Sequence, residues 1–420
     1  MGKENLTKIK NSVWLIWLCW LVYMCSYIGK VNYAANINPI MESFKVDEPT
    51  AGLVSTFFFF AYGVGQVVHG LLCKKYNLKW MIFISLITSG IANLLVGLTT
   101  NFDLIKFLWL INGFSMSVLW PSLIRLLSET LSKKNMPKAS LTMGTTVAIG
   151  TFIVYALSAV FVKIDFRLIF YIATVVFLLV GLIWIMYAPG LIVKVKAEEE
   201  SEETIVEEKK EIDTASVNKS FIMLSIVILG FYGVATNLLK DGLTTWIPTI
   251  LKSEYKLDDS LSIILTLALP IVAIFGNAFA IAIHKKIPDF VMQCAAVFLC
   301  AGLIIGGVIA GMALDSFLIT LIGFTIVCFL ASSCNSVITS IFPLFMKGKV
   351  NSGLIAGILN GCCYIGSTIS SYGLGWIARD FGWSAVFWAL LAVCAVVCVG
   401  AVVYILIKKS MAAKLKESNE

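Results

Sequence analysis

The sequence predicts an all-α membrane protein in which twelve transmembrane helices form two pseudo-symmetric bundles of six. Three observations predict it. Of 420 residues, 59% are apolar and 14% are charged, against roughly 45–50% and 25% in an ordinary soluble domain. The apolar residues fall into twelve runs, each near the roughly 20 residues that a helix needs to cross a bilayer. One acidic stretch without an apolar run divides them six and six.

In chain order, span 1 (13–37) follows a polar, basic segment, "MGKENLTKIKNS". It is longer than a signal-peptide core and lacks a small-residue cleavage site, so it is expected to be retained. Span 2 (51–73) starts beyond Lys45 and stops at Lys74 and Lys75, and span 3 (80–99) starts just after Lys79. Span 4 (103–127) is followed by Lys133, Lys134 and Lys138, span 5 (139–162) by Lys163, and span 6 (166–188) by Lys194 and Lys196. From Glu198 to Asp213 the chain is mostly acidic, "EEESEETIVEEKKEID", as a solvated tether would be. Span 7 (221–247) is followed by Lys252 and Lys256, span 8 (260–284) by Lys285 and Lys286, and span 9 (289–312) by a short loop. Span 10 (316–345) ends before Lys347 and Lys349, span 11 (351–376) before Arg379, and span 12 (383–407) before Lys408 and Lys409. Residues 1–188, 189–220 and 221–420 are therefore expected to be an N-terminal bundle, a linker and a C-terminal bundle.

The basic residues concentrate on alternate loops. With both termini cytoplasmic, the external loops hold only Lys45, Lys106, Lys163, Arg167, Lys252, Lys256 and Arg379, as the positive-inside rule requires of an even number of spans. The net charge of +7 is thus topological, and no nucleic-acid partner is expected. The chain is expected to be a monomeric, multi-pass protein of the cell membrane. All eleven Cys lie in or at the end of an apolar span, so no extracellular disulfide framework is expected. No metal spacing, nucleotide loop or hydrolytic triad is present, and neither a cofactor nor an enzymatic activity is expected.

Two basic residues remain, Lys30 and Lys240, at matching depths in spans 1 and 7. A lysine at mid-span costs about 2.5–3.5 kcal/mol on insertion scales, so each requires a reason. Each lies on a polar stripe at helical spacing: Tyr23, Tyr27 and Lys30 in span 1, and Gly233, Asn237, Lys240 and Thr244 in span 7. Two cations facing one cavity repel unless an anion sits between them, which points to a small organic anion as ligand. Two other arrangements would also account for them. Each lysine could snorkel to the membrane surface, or Asp241 could neutralise one; it lies about 100° around the helix from Lys240, so a neighbouring span or Lys30 is its expected partner. Apart from Asp241 no carboxylate lies deep in any span, so anion exchange or uniport is expected rather than proton symport. Asn335 and Asn360 are amides within spans, able to reach a ligand or to join helices.

The segments "YMCSYIGKVNY", "FFAYGVGQ", "WPSLIR", "LLKDGLTTWIPTIL" and "GILNGCCYIGS" together resemble the organophosphate:phosphate antiporters of the major facilitator superfamily, which include the glycerol-3-phosphate and hexose-phosphate carriers. The resemblance implies the major facilitator fold, with the substrate held between two six-helix repeats. It also implies binding roles for Tyr23, Tyr27, Asn32 and Tyr364. The family's two phosphate-gripping arginines are Lys30 and Lys240 here, point charges in place of bidentate forks. Its span 2 lysine is Gln66, its span 5 histidine is Val147, and its span 8 acid has no counterpart. The resulting expectation is a secondary carrier of an organic phosphate or carboxylate, with Lys30, Lys240, Tyr23, Tyr27, Asn32, Gln66, Asn237, Asn360 and Tyr364 at the site. A sugar-phosphate-sensing receptor and an efflux carrier of amphipathic drugs are the alternatives.

Overall fold

A computed structural model of the chain describes residues 11–72, 77–132, 135–203, 219–346 and 352–417. Among these the regular structure is helical, with no strand. The helices are numbered α1 to α12 after the spans. In the first half, α1 is Asn11–Ser26, carried on past a break by Asn32–Ala35 and Ile37–Phe44. Then come α2 (Glu48–Leu72), α3 (Leu78–Leu98), α4 (Phe102–Met116 with Leu119–Thr130), α5 (Met136–Gly144 with Thr146–Phe161) and α6 (Leu168–Glu203). In the second half, α7 is Lys219–Tyr255, α8 comprises Asp259–Thr266, Ala268–Ala273 and Gly276–His284, α9 is Phe290–Ala313, and α10 is Phe317–Ser336 with a π-helical turn Val337–Ile341. The last element, Ser352–Glu417, breaks at Gly382, whose φ of 80° and ψ of 167° belong to a region open essentially to glycine alone. Its arms, 352–381 and 383–417, are α11 and α12.

Side chains fix where several helices begin. Asn77, Asn101, Asp258 and Asp289 each accept a backbone N–H from the first turn that follows, satisfying donors that the helix cannot. Asp289 also joins α12 through Tyr404 at 2.9 Å and Lys408 at 2.5 Å. Partial burial would raise the pKa of Asp289, but Lys408 and the first-turn N–H groups hold it below the usual carboxylate range. The acidic stretch begins as a continuation of α6 as far as Glu203; the rest of it, 204–213, lies outside the described residues.

The cross-half contacts obey a two-fold relation. α2 packs along α11, α5 packs against α8, and the outer part of α1 meets α7. Adding six to each helix number turns the 2–11 pair into 8–5 and returns 1–7 to itself, as two six-helix repeats require. Large apolar side chains such as Leu179, Leu303, Trp388 and Leu406 are exposed on the outer surface, which suits hydrocarbon rather than water.

The seam is tight at one end and open at the other. At the end remote from the α6–α7 connection, a Cβ on Gly52 (α2) would lie 2.2 Å from the Ser371 carbonyl oxygen of α11, and one on Gly375 (α11) would lie 3.0 Å from the Glu48 carbonyl oxygen of α2. At the connection end, Gly361 has only Val67 at 4.0 Å, and Gly357 has nothing within 4 Å among the described residues. Among the described residues the two halves pack closely beyond the lysines, and they part on the side of the linker only past the Asn360–Gln66 and Gly361–Val67 contacts.

Candidate substrate site at the seam

The apolar run 13–37 predicts one unbroken helix, but α1 comes apart at its lysine. Tyr27–Gly29 form a single 3₁₀ turn, the N–H groups of Lys30 and Val31 both return to the Tyr27 carbonyl at 3.2 and 3.1 Å, and the helix resumes at Asn32. Irregular backbone survives at membrane depth only where protein groups satisfy it. Here amides do so. The Gly29 carbonyl accepts from Asn112 of α4 at 2.8 Å and from Asn93 of α3 at 3.5 Å. Asn93 accepts from Asn32 at 2.8 Å, while Asn36 donates to Ser158 of α5 at 2.9 Å. Gly29 must be glycine because a Cβ would come within 2.4 Å of the Phe177 ring and 2.8 Å of the Asn93 amide. Replacing Asn112 with Leu should lower stability by about 1–3 kcal/mol, the cost of stranding a buried carbonyl. The thermal midpoint of purified protein measures this, and an unchanged midpoint would show that Asn112 does not hold the break.

At the break, the Lys30 ammonium is surrounded by rings. Its Nζ lies 4.2 Å from the ring centroid of Tyr62, 5.0 Å from Tyr27, 5.6 Å from Tyr364 and 5.9 Å from Phe58. Electron-rich faces stabilise a desolvated cation by about 0.5–2 kcal/mol each, yet leave its N–H donors available to an anion. Tyr62 and Tyr364 meet each other at 4.7 Å across the α2–α11 seam. Tyr23 lies behind Tyr27, 5.7 Å away, and against Trp120 at 4.7 Å.

Across the seam, Lys240 does not stand alone. Its Nζ is 3.3 Å from Asp241 Oδ1, a pairing that their positions about 100° apart around the helix did not favour. Their Cα–Cβ directions diverge around the helix, but the four-carbon lysine stem is long enough to curl back onto a short aspartate. Asp241 Oδ2 accepts from Ser367 of α11 at 2.6 Å and from Asn237 at 3.2 Å. Asn237 also donates to Ser367 at 3.1 Å and accepts from Asn335 of α10 at 2.9 Å. The Lys240 and Asp241 side chains are 27% and 17% exposed, so open space reaches them in the middle of the bundle. Asp241 lies within electrostatic range of Lys30, and Tyr27 within that of Lys240, so polar groups of the two halves act on one another across the seam.

The residues expected at the site are therefore brought together unevenly. Lys30, Tyr27 and Tyr364 converge directly; Lys240 faces them from the other half; Tyr23 and Asn237 support their neighbours. Gln66 and Asn360 sit one helical turn toward the linker from Tyr62 and Tyr364, and the Asn360 amide donates to Gln66 Oε1 at 2.9 Å. Asn32 is not brought there: it is fully buried and its amide is used by Asn93. Sequence reasoning missed Tyr62 and Phe58 on α2, although Tyr62 lies four residues from Gln66 and so on its helical face. It also missed Asn93 and Asn112, whose signal was an isolated amide in an apolar span.

Beyond the site the seam is bolted. Lys252 (α7) pairs with Glu42 of the first half and, at 2.9 Å, with Asp259. Arg379 (α11) donates to Asp47, just before α2, at 3.0 Å. Partial burial would raise the pKa of Asp47, but hydrogen bonds from Thr50 and Arg379 hold it below the usual carboxylate range. Asn38 donates to the Pro248 carbonyl at 3.2 Å and accepts from Thr249 at 2.7 Å. Tyr155 (α5) donates to the Thr244 carbonyl at 3.0 Å.

Several known proteins are similar to this chain in sequence or fold. A probable hexose phosphate transport protein of Chlamydia trachomatis is 23% identical over 401 residues, covering 88% of this chain and 86% of that protein. Sugar phosphate exchanger 3 of Bos taurus is 20% identical over 384 residues, covering 80% and 76%. The membrane sensor protein UhpC of Escherichia coli is 29% identical over 107 residues, 26% of this chain and 24% of that one. These relatives bear out the resemblance drawn from the sequence motifs. Among solved structures, a bacterial homolog of the human lysosomal transporter Spinster, in an inward-facing and occupied conformation, superposes with a TM-score of 0.71 at 12% identity over 94% of this chain and 97% of that one. The nucleoside transporter NupG does so with a TM-score of 0.66 at 12% identity over 94% and 99%. Fold and relatives are those of transporters, not enzymes. Residues 19–354 match the model of the Major Facilitator Superfamily, and the chain belongs to that superfamily.

Proposed function

We propose that this chain is a secondary carrier of a small organic anion, an organic phosphate or carboxylate, that works by alternating access and moves its substrate by exchange or uniport. The observation that carries it is the placing of Lys30 and Lys240, one from each half, on opposite sides of an accessible seam. An anion between them would join the halves, and its loss would let them part, which is the coupling that alternating access needs. Residues 1–188 and 221–420 are the moving units, with 189–220 as tether. The printed names of the full-length relatives, hexose phosphate transport and sugar phosphate exchange, favour the phosphate class.

The test is a binding screen of organic phosphates and carboxylates on purified protein, followed by flux of the best binder in liposomes. Binding with flux is the expected result. Failure of every anion to bind would overturn the proposal, and binding without flux would favour a receptor, the second reading, which the match to the sensor UhpC supports. The open end of the seam faces the linker, so the arrangement is inward-facing if the basic loops are cytoplasmic. A cysteine at Asp258 should then react with an impermeant reagent from outside intact cells, and one at Asn77 should not. Labelling of the Asn77→Cys variant alone would invert the topology and place the termini outside.

A further inference from the structure

The charges at the seam do not add up to a two-cation clamp. Lys30 and Lys240 contribute two positive charges, and Asp241 cancels one. Asp241 is not free to swing away: Ser367 and Asn237 hold one oxygen, Lys240 holds the other, and Asn335 fixes Asn237 in turn. The titratable groups within electrostatic range of it are Lys30 from α1, Lys240 beside it on α7, Cys328 from α10, and Cys363 and Tyr364 from α11. Phenols and thiols carry no charge at neutral pH, so Asp241 is the one anion among these residues, and the three charged side chains sum to a single positive charge.

We propose that Asp241 is a charge-selecting residue, so that the site accepts substrates of one net negative charge, with the anionic group on Lys30 and the Lys240–Asp241 pair beside it. The inference deepens the organic-anion reading above and rests on it. A singly charged ligand leaves the seam neutral when the halves close. A doubly charged one leaves an uncompensated charge in a low-dielectric interior, which is strongly disfavoured. Lys30 takes the anionic group because rings, not a carboxylate, surround it, whereas Lys240 is already paired. A phosphate monoester therefore binds in its singly protonated form, the proton coming from solvent with the ligand. A hydroxyl next to the anionic group completes the fit by donating to Asp241, whose two oxygens have acceptor capacity beyond three bonds.

The experiment compares one hexose carrying either a 6-sulfate, singly charged throughout, or a 6-phosphate, whose second pKa is about 6. Affinities are measured on the purified full chain at pH 8. The wild type is expected to prefer the sulfate ester by about 100-fold, since about one phosphate in a hundred is then singly protonated. Lowering the pH to 7 should strengthen phosphate binding about tenfold and leave sulfate unchanged. In Asp241→Asn, which keeps the shape and, with its amide oxygen toward Ser367 and Asn237, those two hydrogen bonds while giving up the Lys240 contact, the preference should reverse in favour of phosphate. Asp241→Glu, which keeps the charge, should retain the wild-type order. A wild type that prefers the phosphate dianion, or an Asp241→Asn variant with the wild-type ratio, overturns the inference while leaving the organic-anion reading intact. If the Asn variant does not fold, the wild-type ratio and its change with pH decide alone. Failure of both esters and all other organic anions to bind overturns the reading itself and the inference with it.

Discussion

Replacing Lys30 with Gln should weaken binding of an organic phosphate by about 10- to 150-fold, the loss of a charge-assisted hydrogen bond of about 1.5–3 kcal/mol. Protein yield and thermal midpoint should change little, because the ammonium rests on four rings and no described ion pair depends on it. Lys240→Gln should behave differently. It strands Asp241 with only Ser367 and Asn237 as partners, so its midpoint should fall, and adding Asp241→Asn should restore it. The two lysines, matched in sequence, are thus expected to part in their phenotypes. Wild-type affinity in Lys30→Gln would sink the anion site. A lower midpoint there without loss of binding would mean that Lys30 has a structural task instead.

The second large effect is expected far from the lysines, at Gly52. A Cβ there would lie 2.2 Å from the Ser371 carbonyl oxygen and 3.0 Å from the Trp246 ring, and backbone cannot yield as the end of a side chain can. Gly52→Val should therefore wedge α2 from α11 at the closed end. Overpacking costs about 1–3 kcal/mol, which shifts the ratio of the two seam states by about 5- to 150-fold toward opening on that side, and net transport should fall in proportion. A cysteine at Thr56, which donates to the Thr368 carbonyl across the seam at 3.1 Å, should become labelled from outside in the Gly52→Val background. Gly366→Ala is the control. Its Cβ would lie 2.0 Å from the Val234 carbonyl oxygen, within the second half, so it should lower the thermal midpoint without exposing Thr56. Unchanged labelling and transport in Gly52→Val would show that this contact does not form the closed gate.

By itself the sequence determined the class of molecule and the two residues of interest. Hydrocarbon admits only runs of apolar side chains with internally bonded backbone, so composition and run length are enough to place twelve spans, and a lysine in such a run stands out against its background. Even Gly382, where one continuous element divides into α11 and α12, fell in the gap between two apolar runs. What periodicity could not supply was the state of each lysine. It treats span 1 as a uniform cylinder, whereas α1 breaks at Lys30 because Asn93 and Asn112, on two other helices, take over the carbonyl that the break releases. It places Asp241 on a different face from Lys240, whereas a flexible lysine stem, with Ser367 of α11 holding the other carboxylate oxygen, brings them into contact. It ranks Asn32 with the binding residues, whereas tertiary packing commits that amide to Asn93. Sequence pattern reports the solvent that each face meets; only the tertiary structure decides which polar group meets which, because those partners lie tens to hundreds of residues apart and a buried polar group settles wherever its hydrogen bonds can be completed.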